Sequence, residues 1–291
     1  MADTELIFDR FPPFVREYIY THSWESLRSV QIEAAKTLLF TDRNLLLTSS
    51  TASGKTEAAF FPILSDLYEN PSSTVAVLYI APLKSLINDQ FFRMDELLEE
   101  SGIRVTHWHG DVAQAQKKAL LDRPEGILQI TPESLEAMLI NRSNDIPRLF
   151  GDLRYVVLDE VHTLTGTDRG NQILCQLARI EGMIRHMPRR IGLSATVGNP
   201  ELAAAWLSGH TGRQTDVPRF PEEKIRWRLG MEHFFIQNPA FRQGTNPALS
   251  GASVAEGDIA MLDVGYEYAY DCVKDRKSLV FSNSREETEY V

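Results

Sequence analysis

Between Asn44 and about Thr196 the chain carries six short apolar runs, and none of them alternates with polar residues. They are Asn44–Thr48, Thr74–Ala81, Arg104–Trp108, Gly126–Ile130, Tyr155–Leu158 and Arg190–Leu193. Leu-rich and β-branched runs with no polar face suit strands buried on both sides, and such strands belong to parallel sheets. The stretches between them have helical spacing. Leu83, Leu86, Ile87, Phe91, Met94, Leu97 and Leu98 form one apolar stripe, and Ile173, Leu174, Leu177, Ile180 and Ile184 form another. Thr131-Pro132-Glu133 and Asn199-Pro200-Glu201 each put a capping side chain before a proline at the first helical position. The repetition predicts an α/β domain, a parallel sheet covered by helices on both faces.

After about Thr215 the pattern restarts. Ile225–Ile236 predicts a strand of mixed exposure, and Gln237–Gly257, rich in Asn, Pro, Gly and Ser, predicts a long surface loop. A stripe through Ile259, Leu262, Tyr266, Ala269 and Val273 predicts a helix, and Ser278–Ser282 a buried-type strand. Two strands and a helix cannot close a core by themselves. The expectation is a first domain over 1–214 and, over 215–291, only the beginning of a second.

Chemistry concentrates where the predicted strands end. Leu45–Thr56, LLLTSSTASGKT, runs from a buried strand through small residues into a helix, the layout of a phosphate-binding loop. Small residues such as Ser53 and Gly54 let backbone N–H groups close around phosphates at a helix start. Lys55 would reach the β- and γ-phosphates of a nucleotide, and the Thr56 hydroxyl would ligate Mg²⁺. The loop departs from the usual pattern in having Ser49 at its first position and Ala52 where glycine is common; both are small. GKT alone also occurs in ordinary turns, but strand before and helix after favour the nucleotide.

Tyr155–Val161, YVVLDEV, sends two carboxylates out of the end of a predicted central strand, followed by His162. Asp159 would hold Mg²⁺ through its water shell, and Glu160 would orient and deprotonate an attacking water. Taken alone, the pair could equally be a solvated acidic strand end. Gly192–Thr196, GLSAT, ends another strand, and the Ser194 and Thr196 hydroxyls could bond back to the DEVH segment or simply cap a helix.

Composition narrows the partners. Thirty Lys and Arg stand against 40 Asp and Glu, a net charge of −10, which excludes a histone-like polycation. A local basic groove on an acidic body remains compatible with nucleic acid. No apolar run approaches the ~18 residues of a membrane span, and the start, MADTELIFDR, is acidic where a secretory signal is basic. The expected compartment is the cytoplasm. Cys175 and Cys272 are too few for a disulfide framework or a zinc site.

GKT, APLKSL, TPESL, DEVH and SAT, in that order, resemble motifs I, Ia, Ib, II and III of superfamily 2 DEAD/DEAH-type helicases. WHGD at Trp108–Asp111, LDEVHTLTGTDRG at Leu158–Gly170 and GLSATVGNPELAAAWL at Gly192–Leu207 are similar to the large helicase-related (Lhr-type) group, and SLVFSNSR at Ser278–Arg285 resembles motif IV. The resemblance implies a RecA-like P-loop domain followed by the beginning of a second one. It also implies ATP and Mg²⁺ as cofactors and single-stranded nucleic acid, DNA rather than RNA, as partner.

The same resemblance implies that Gln31, in SVQIEAAK, reads adenine, though a helix-surface glutamine would look alike, and that Phe11 could stack on the base. Pro82, Leu83, Lys84, Gly110, Asp111, Thr131, Pro132 and Glu133 would line the nucleic-acid groove, where backbone amides and Lys84 suit phosphates. Thr131 could also be a plain N-cap. Arg169 is either a strand contact or an exposed salt-bridging arginine. Trp108 reads as strand core, and His107 and His109 have no metal-ligand company. His162 would couple the ATP state to the nucleic-acid site, or be a satisfied structural histidine. The implied activity is ATP-driven movement on single strands, with a duplex translocase and a non-catalytic binding module as alternatives. The family's later arginine-bearing motifs are absent from these 291 residues, so the chain alone is expected to bind nucleotide and hydrolyse it weakly.

Overall fold

The computed structural model describes residues 2–22, 24, 26–49, 54–82, 95–195, 197–220, 229–234 and 264–281. The chain divides into two compact units, Met1–Glu222 and Glu223–Val291.

The first unit is built on seven strands: β1 (Asn44–Thr48), β2 (Val75–Ile80), β3 (Val105–Trp108), β4 (Gly126–Ile130), β5 (Tyr155–Leu158), β6 (Arg189–Ser194) and β7 (Thr215–Asp216). They lie in the order β3-β4-β2-β5-β6-β1-β7, and every pairing is parallel. All six expected runs are therefore strands of one sheet.

Their uninterrupted apolar character follows from two cores, one on each face. Leu45 and Leu47 of β1 enter one core and Leu46 the other; Val77 and Tyr79 of β2 oppose Leu78 and Ile80 in the same way. Successive side chains of a strand point to opposite faces, so a strand covered on both is apolar at most positions, and the polar side chains Asn44, Gln129, Arg190 and Ser194 are buried exceptions. The first core receives helices Ala2–Arg10, Pro13–Thr21, Ser29–Phe40 and Lys55–Glu69; the second receives Pro132–Asn141, Ile146–Phe150, Asp168–Ile184 and Pro200–Ser208. Full burial of one leucine contributes about 1.5–3 kcal/mol, and all three β1 leucines are fully buried.

The expected helix starts take their caps. Thr131 Oγ1 accepts from Ser134 N at 3.4 Å, and Asn199 Oδ1 from Leu202 N at 2.9 Å. Thr167 caps Asp168–Ile184 by accepting from Gly170 N at 3.1 Å.

β7 lies just past the expected boundary at residue 214. Thr215 and Asp216 pair with Asn44 and Leu45 of β1, and Asp216 accepts from Arg43 at 2.8 Å and from the Thr37 hydroxyl at 3.2 Å. The sheet thus takes a seventh, short edge strand from beyond residue 214.

In the second unit, Val264–Val273 is helical, and Tyr266, Ala269 and Val273 form its half-buried stripe. The described parts of the two strands expected here, 229–234 and 278–281, are not strands, and Leu279 and Phe281 are exposed. A strand needs a neighbour for its N–H and C=O groups, and neither run has one among the described residues. The expected loop, Gln237–Gly257, lies outside the described residues, as do Ile259 and Leu262. Among the described residues no helix is long and apolar enough to cross a membrane.

Candidate active site

In an all-parallel sheet every strand ends on the same edge. That geometry alone brings together Ser49 after β1, Pro82 after β2, Gly110 after β3, Thr131 after β4, Asp159 after β5 and Ser194 at the end of β6.

The phosphate-loop candidate runs from β1 to the helix Lys55–Glu69. Its last residue, Gly54, has φ +83°, where a side chain is strained, and a Cβ there would lie 3.4 Å from Gln31 Nε2. Lys55 Nζ donates to the Ser49 carbonyl at 2.6 Å, bringing the lysine back to the end of β1. Burial draws its ammonium below the usual lysine range, while Glu160, Asp159 and Glu57 pull the other way. Thr56 is half-buried one residue further on. Ser53 and Ala52 lie outside the described residues.

Asp159 is buried, and donors among the described residues hold both of its oxygens. Tyr79 Oη donates to Oδ2 at 2.6 Å, and the backbone N–H of Glu160 donates to Oδ1 at 2.9 Å. Burial and the adjacent Asp159 carboxylate hold the Tyr79 phenol far above its ordinary pKa, so it stays a donor. Glu160 has φ +51° and ψ +43°, a left-handed backbone in a non-glycine residue. Such a conformation costs roughly 1–2 kcal/mol, and it turns the chain directly from β5 into the short helix Val161–Leu164. Glu160 Oε2 then lies 3.3 Å from His162 Nδ1.

Ser194 connects these parts. Its hydroxyl accepts from the His162 backbone N–H at 3.2 Å and faces His162 Nδ1 at 3.2 Å, while its carbonyl accepts from Ser49 N at 3.4 Å. The serine is almost wholly buried, so it acts as a strut between the GKT and DEVH segments. Thr196 lies outside the described residues.

Gln31 is also buried, against the foot of the loop. Its Oε1 accepts from Arg28 N at 2.9 Å, closing the start of the helix Ser29–Phe40, and its Nε2 is buried without a partner among the described residues. Half of the amide is thus structural and half is available. Phe11 corrects the sequence expectation: it is buried with its ring edge-on to Phe61 at 5.7 Å, in core that no base can reach.

Beyond the acidic pair, the ends of β2, β3 and β4 form a second surface. Gly110 and Asp111 are exposed, whereas Pro82, Thr131 and Pro132 are buried. Thr131 caps its helix, and the Pro132 carbonyl accepts from Gln176 Nε2 at 3.0 Å. Arg169 is committed to protein groups: Nη2 donates to the Pro82 carbonyl at 2.7 Å and to Glu133 Oε1 at 2.7 Å. It ties the strand ends together, and its Nε is buried without a partner among the described residues. Trp108 packs in the second core with Lys117 Nζ 5.8 Å above its ring. Leu83 and Lys84 lie outside the described residues. No cluster of His, Cys, Asp and Glu suited to a metal occurs among the described residues.

Sequence reasoning missed Tyr79, which sits inside the apolar run VAVLYI and reads as one more core aromatic. Its only signal was a hydroxyl on a strand adjacent to the one carrying the acidic pair. Two shallow hollows, of about 250 and 370 Å³, lie at the other end of the strands. In the first, Arg189 places four of its five N–H groups on the carbonyls of Thr37, Leu38 and Arg43.

A DEAD/DEAH box helicase family model matches residues 28–204. The Lhr helicase/probable uracil glycosylase of Mycolicibacterium smegmatis is 33% identical over 215 residues, covering 69% of this chain and 14% of that protein. The ATP-dependent helicase Lhr-Core of Methanothermobacter thermautotrophicus is 29% identical over 272 residues, covering 86% of this chain and 29% of that one. The structure of Mycobacterium smegmatis helicase Lhr bound to ssDNA and AMP-PNP matches with a TM-score of 0.64 at 32% identity, covering 73% of this chain and 28% of the other. The chain spans less than a third of the length of each of these relatives.

Proposed function

The chain belongs to the DEAD/DEAH box helicase family, and from that premise we propose that its first unit is the nucleotide-binding domain of an ATP-dependent motor acting on single-stranded nucleic acid. One observation carries the reading: Lys55, which opens the helix following β1, and Asp159 and Glu160, which follow β5, stand at the same end of one parallel sheet.

The donor set suits a nucleotide with magnesium. Thr56 and Asp159 offer hard oxygen donors, the type that ion prefers, and Gly54 at the helix start takes a φ of +83°, a backbone that a side chain strains. Bound there, magnesium would neutralise charge on the β- and γ-phosphates. Lys55, held on the Ser49 carbonyl, would exchange that acceptor for phosphate oxygens. Glu160 would orient a water in line with the γ-phosphorus and take its proton, giving hydrolysis rather than transfer to a second substrate. His162 would share the Glu160 carboxylate and the Ser194 hydroxyl, and so sense the γ-phosphate.

Single-stranded nucleic acid would cross the ends of β2, β3 and β4, touching Gly110, Asp111 and the helix start at Thr131. DNA is favoured over RNA because the M. smegmatis relative is described with ssDNA. Residues 223–291 are read as the beginning of a second RecA-like domain, and the cytoplasm as the compartment.

Binding of a fluorescent ATP analogue, with phosphate release measured with and without single-stranded DNA, tests the reading. Lys55→Ala is expected to abolish nucleotide binding. Glu160→Gln is expected to retain it while turnover falls about 10²–10⁴-fold, the range of a general base. A folded Lys55→Ala variant with unchanged affinity would remove the phosphate-loop assignment.

A further inference from the structure

We propose that Tyr79 is a positioning residue for the metal arm of this site, its phenol holding the Asp159 carboxylate in the orientation that magnesium–nucleotide binding requires. The inference rests on the nucleotide reading above and extends it to a residue on a neighbouring strand.

A carboxylate on a short side chain turns easily, because its last torsion is broad and two-fold. Asp159 is held at both oxygens, by Glu160 N at 2.9 Å and by Tyr79 Oη at 2.6 Å. The first of these donors comes from its own chain neighbour and would follow any movement of the β5 end. The second comes from β2, where Tyr79 stands in register with Val157, two residues before Asp159. Tyr79 therefore references the aspartate to the sheet.

The phenol is itself fixed. Tyr79 is fully buried and its ring lies 6.1 Å from that of Phe60, at 42°. Phe60 follows Thr56 by four residues on the helix Lys55–Glu69, which puts the two on one helix face. A single helix thus carries one candidate metal donor, Thr56, and braces the residue that sets the other, Asp159. A phenylalanine would fill the same space in the core. The buried hydroxyl has a desolvation cost that its bond to Asp159 offsets.

Outer partners of metal ligands typically alter metal affinity or activity by about 10–100-fold when removed. Tyr79→Phe keeps the ring and deletes only the donor. The test titrates MgCl₂ into protein and a fluorescent ATP analogue, and repeats the nucleotide titration in EDTA. Half-saturation by Mg²⁺ is expected to rise about tenfold or more in Tyr79→Phe, with nucleotide affinity in EDTA unchanged. In an Asp159→Asn background the same substitution should add nothing, because the ligand it positions is already disabled. An unchanged Mg²⁺ half-saturation, or an equal loss with and without Mg²⁺, would overturn the proposal and leave Tyr79 as a core residue. If the wild-type chain shows no Mg²⁺-dependent nucleotide binding, the failure belongs to the nucleotide reading instead.

Discussion

The Ser194 hydroxyl accepts the backbone N–H of His162 at 3.2 Å and faces that residue's Nδ1 at the same distance. Because the Ser194 carbonyl also accepts from Ser49 N at 3.4 Å, one buried serine joins the ends of β1, β5 and β6. Ser194→Ala removes the side-chain half of this strut and leaves the sheet hydrogen bonds in place. A bond of this kind is worth about 1–1.5 kcal/mol, or roughly tenfold in a rate. Nucleotide affinity should stay within about twofold of wild type, while DNA-stimulated ATP turnover falls about tenfold. Steady-state phosphate release against single-stranded DNA concentration checks this; equal losses in binding and turnover would refute the strut.

Arg169 and Glu133 provide a test whose sign decides the outcome. With Arg169 bonded to both Pro82 O and Glu133, the pair ties the end of β2 to the helix start after β4. Arg169→Ala and Glu133→Gln should both weaken single-stranded DNA binding, with the salt dependence unchanged. Were Arg169 a phosphate contact, its loss would flatten the slope of log K against log salt by about 0.7. Removing the competing Glu133 charge would then tighten binding. Fluorescence anisotropy over a series of salt concentrations separates the two cases.

Gln31 has divided work that substitutions can separate. Its Oε1 closes the helix start on Arg28 N, and its Nε2 is the half without a partner among the described residues. Gln31→Glu keeps an acceptor for the cap and loses the N–H donor. Gln31→Ala loses both and should cost about 1 kcal/mol of stability, the usual worth of a cap. If Nε2 reads adenine, both variants lose preference for ATP over GTP, and only Gln31→Ala melts earlier. Competition binding with the two nucleotides, alongside thermal melts, distinguishes these effects.

The sheet was legible because burial on two faces leaves a plain mark: Leu45, Leu46 and Leu47 run without a polar interruption, as do Val75–Leu78 in β2 and Val156–Leu158 in β5. The positions of Lys55 and the Asp159–Glu160 pair were legible because parallel strands deliver their C-terminal residues to one edge. Partners were not. An aromatic such as Tyr79 reads as core whether or not its hydroxyl is employed, and Phe11 reads as exposed or buried with equal ease. Arg169 could have pointed to solvent; its acceptors lie 87 and 36 residues away along the chain, at Pro82 and Glu133, a proximity created only by the fold. Residues 278–281 show the converse, since apolar character cannot supply a pairing strand and none lies beside them among the described residues.

One buried ion pair of the first unit, Arg190 with Glu181, lies away from the site and gives a stability prediction. Arg190 is fully buried and donates to both oxygens of Glu181, at 2.9 and 3.3 Å, and to the Leu207 carbonyl at 3.1 Å. Half-exposed His210 approaches Glu181 Oε2 at 2.7 Å. The cluster joins β6 to the helix Asp168–Ile184 and to the end of Pro200–Ser208. Removing one member strands the other charge away from water, which typically costs about 3–5 kcal/mol. Replacing both by apolar residues of similar volume removes the charge as well as its partner. Glu181→Leu and Arg190→Met should therefore each lower stability by about 3–5 kcal/mol in urea unfolding, and the double variant should lose much less than their sum. Additive losses would mean that the two charges are held independently, with His210 or the Leu207 carbonyl sufficient for each.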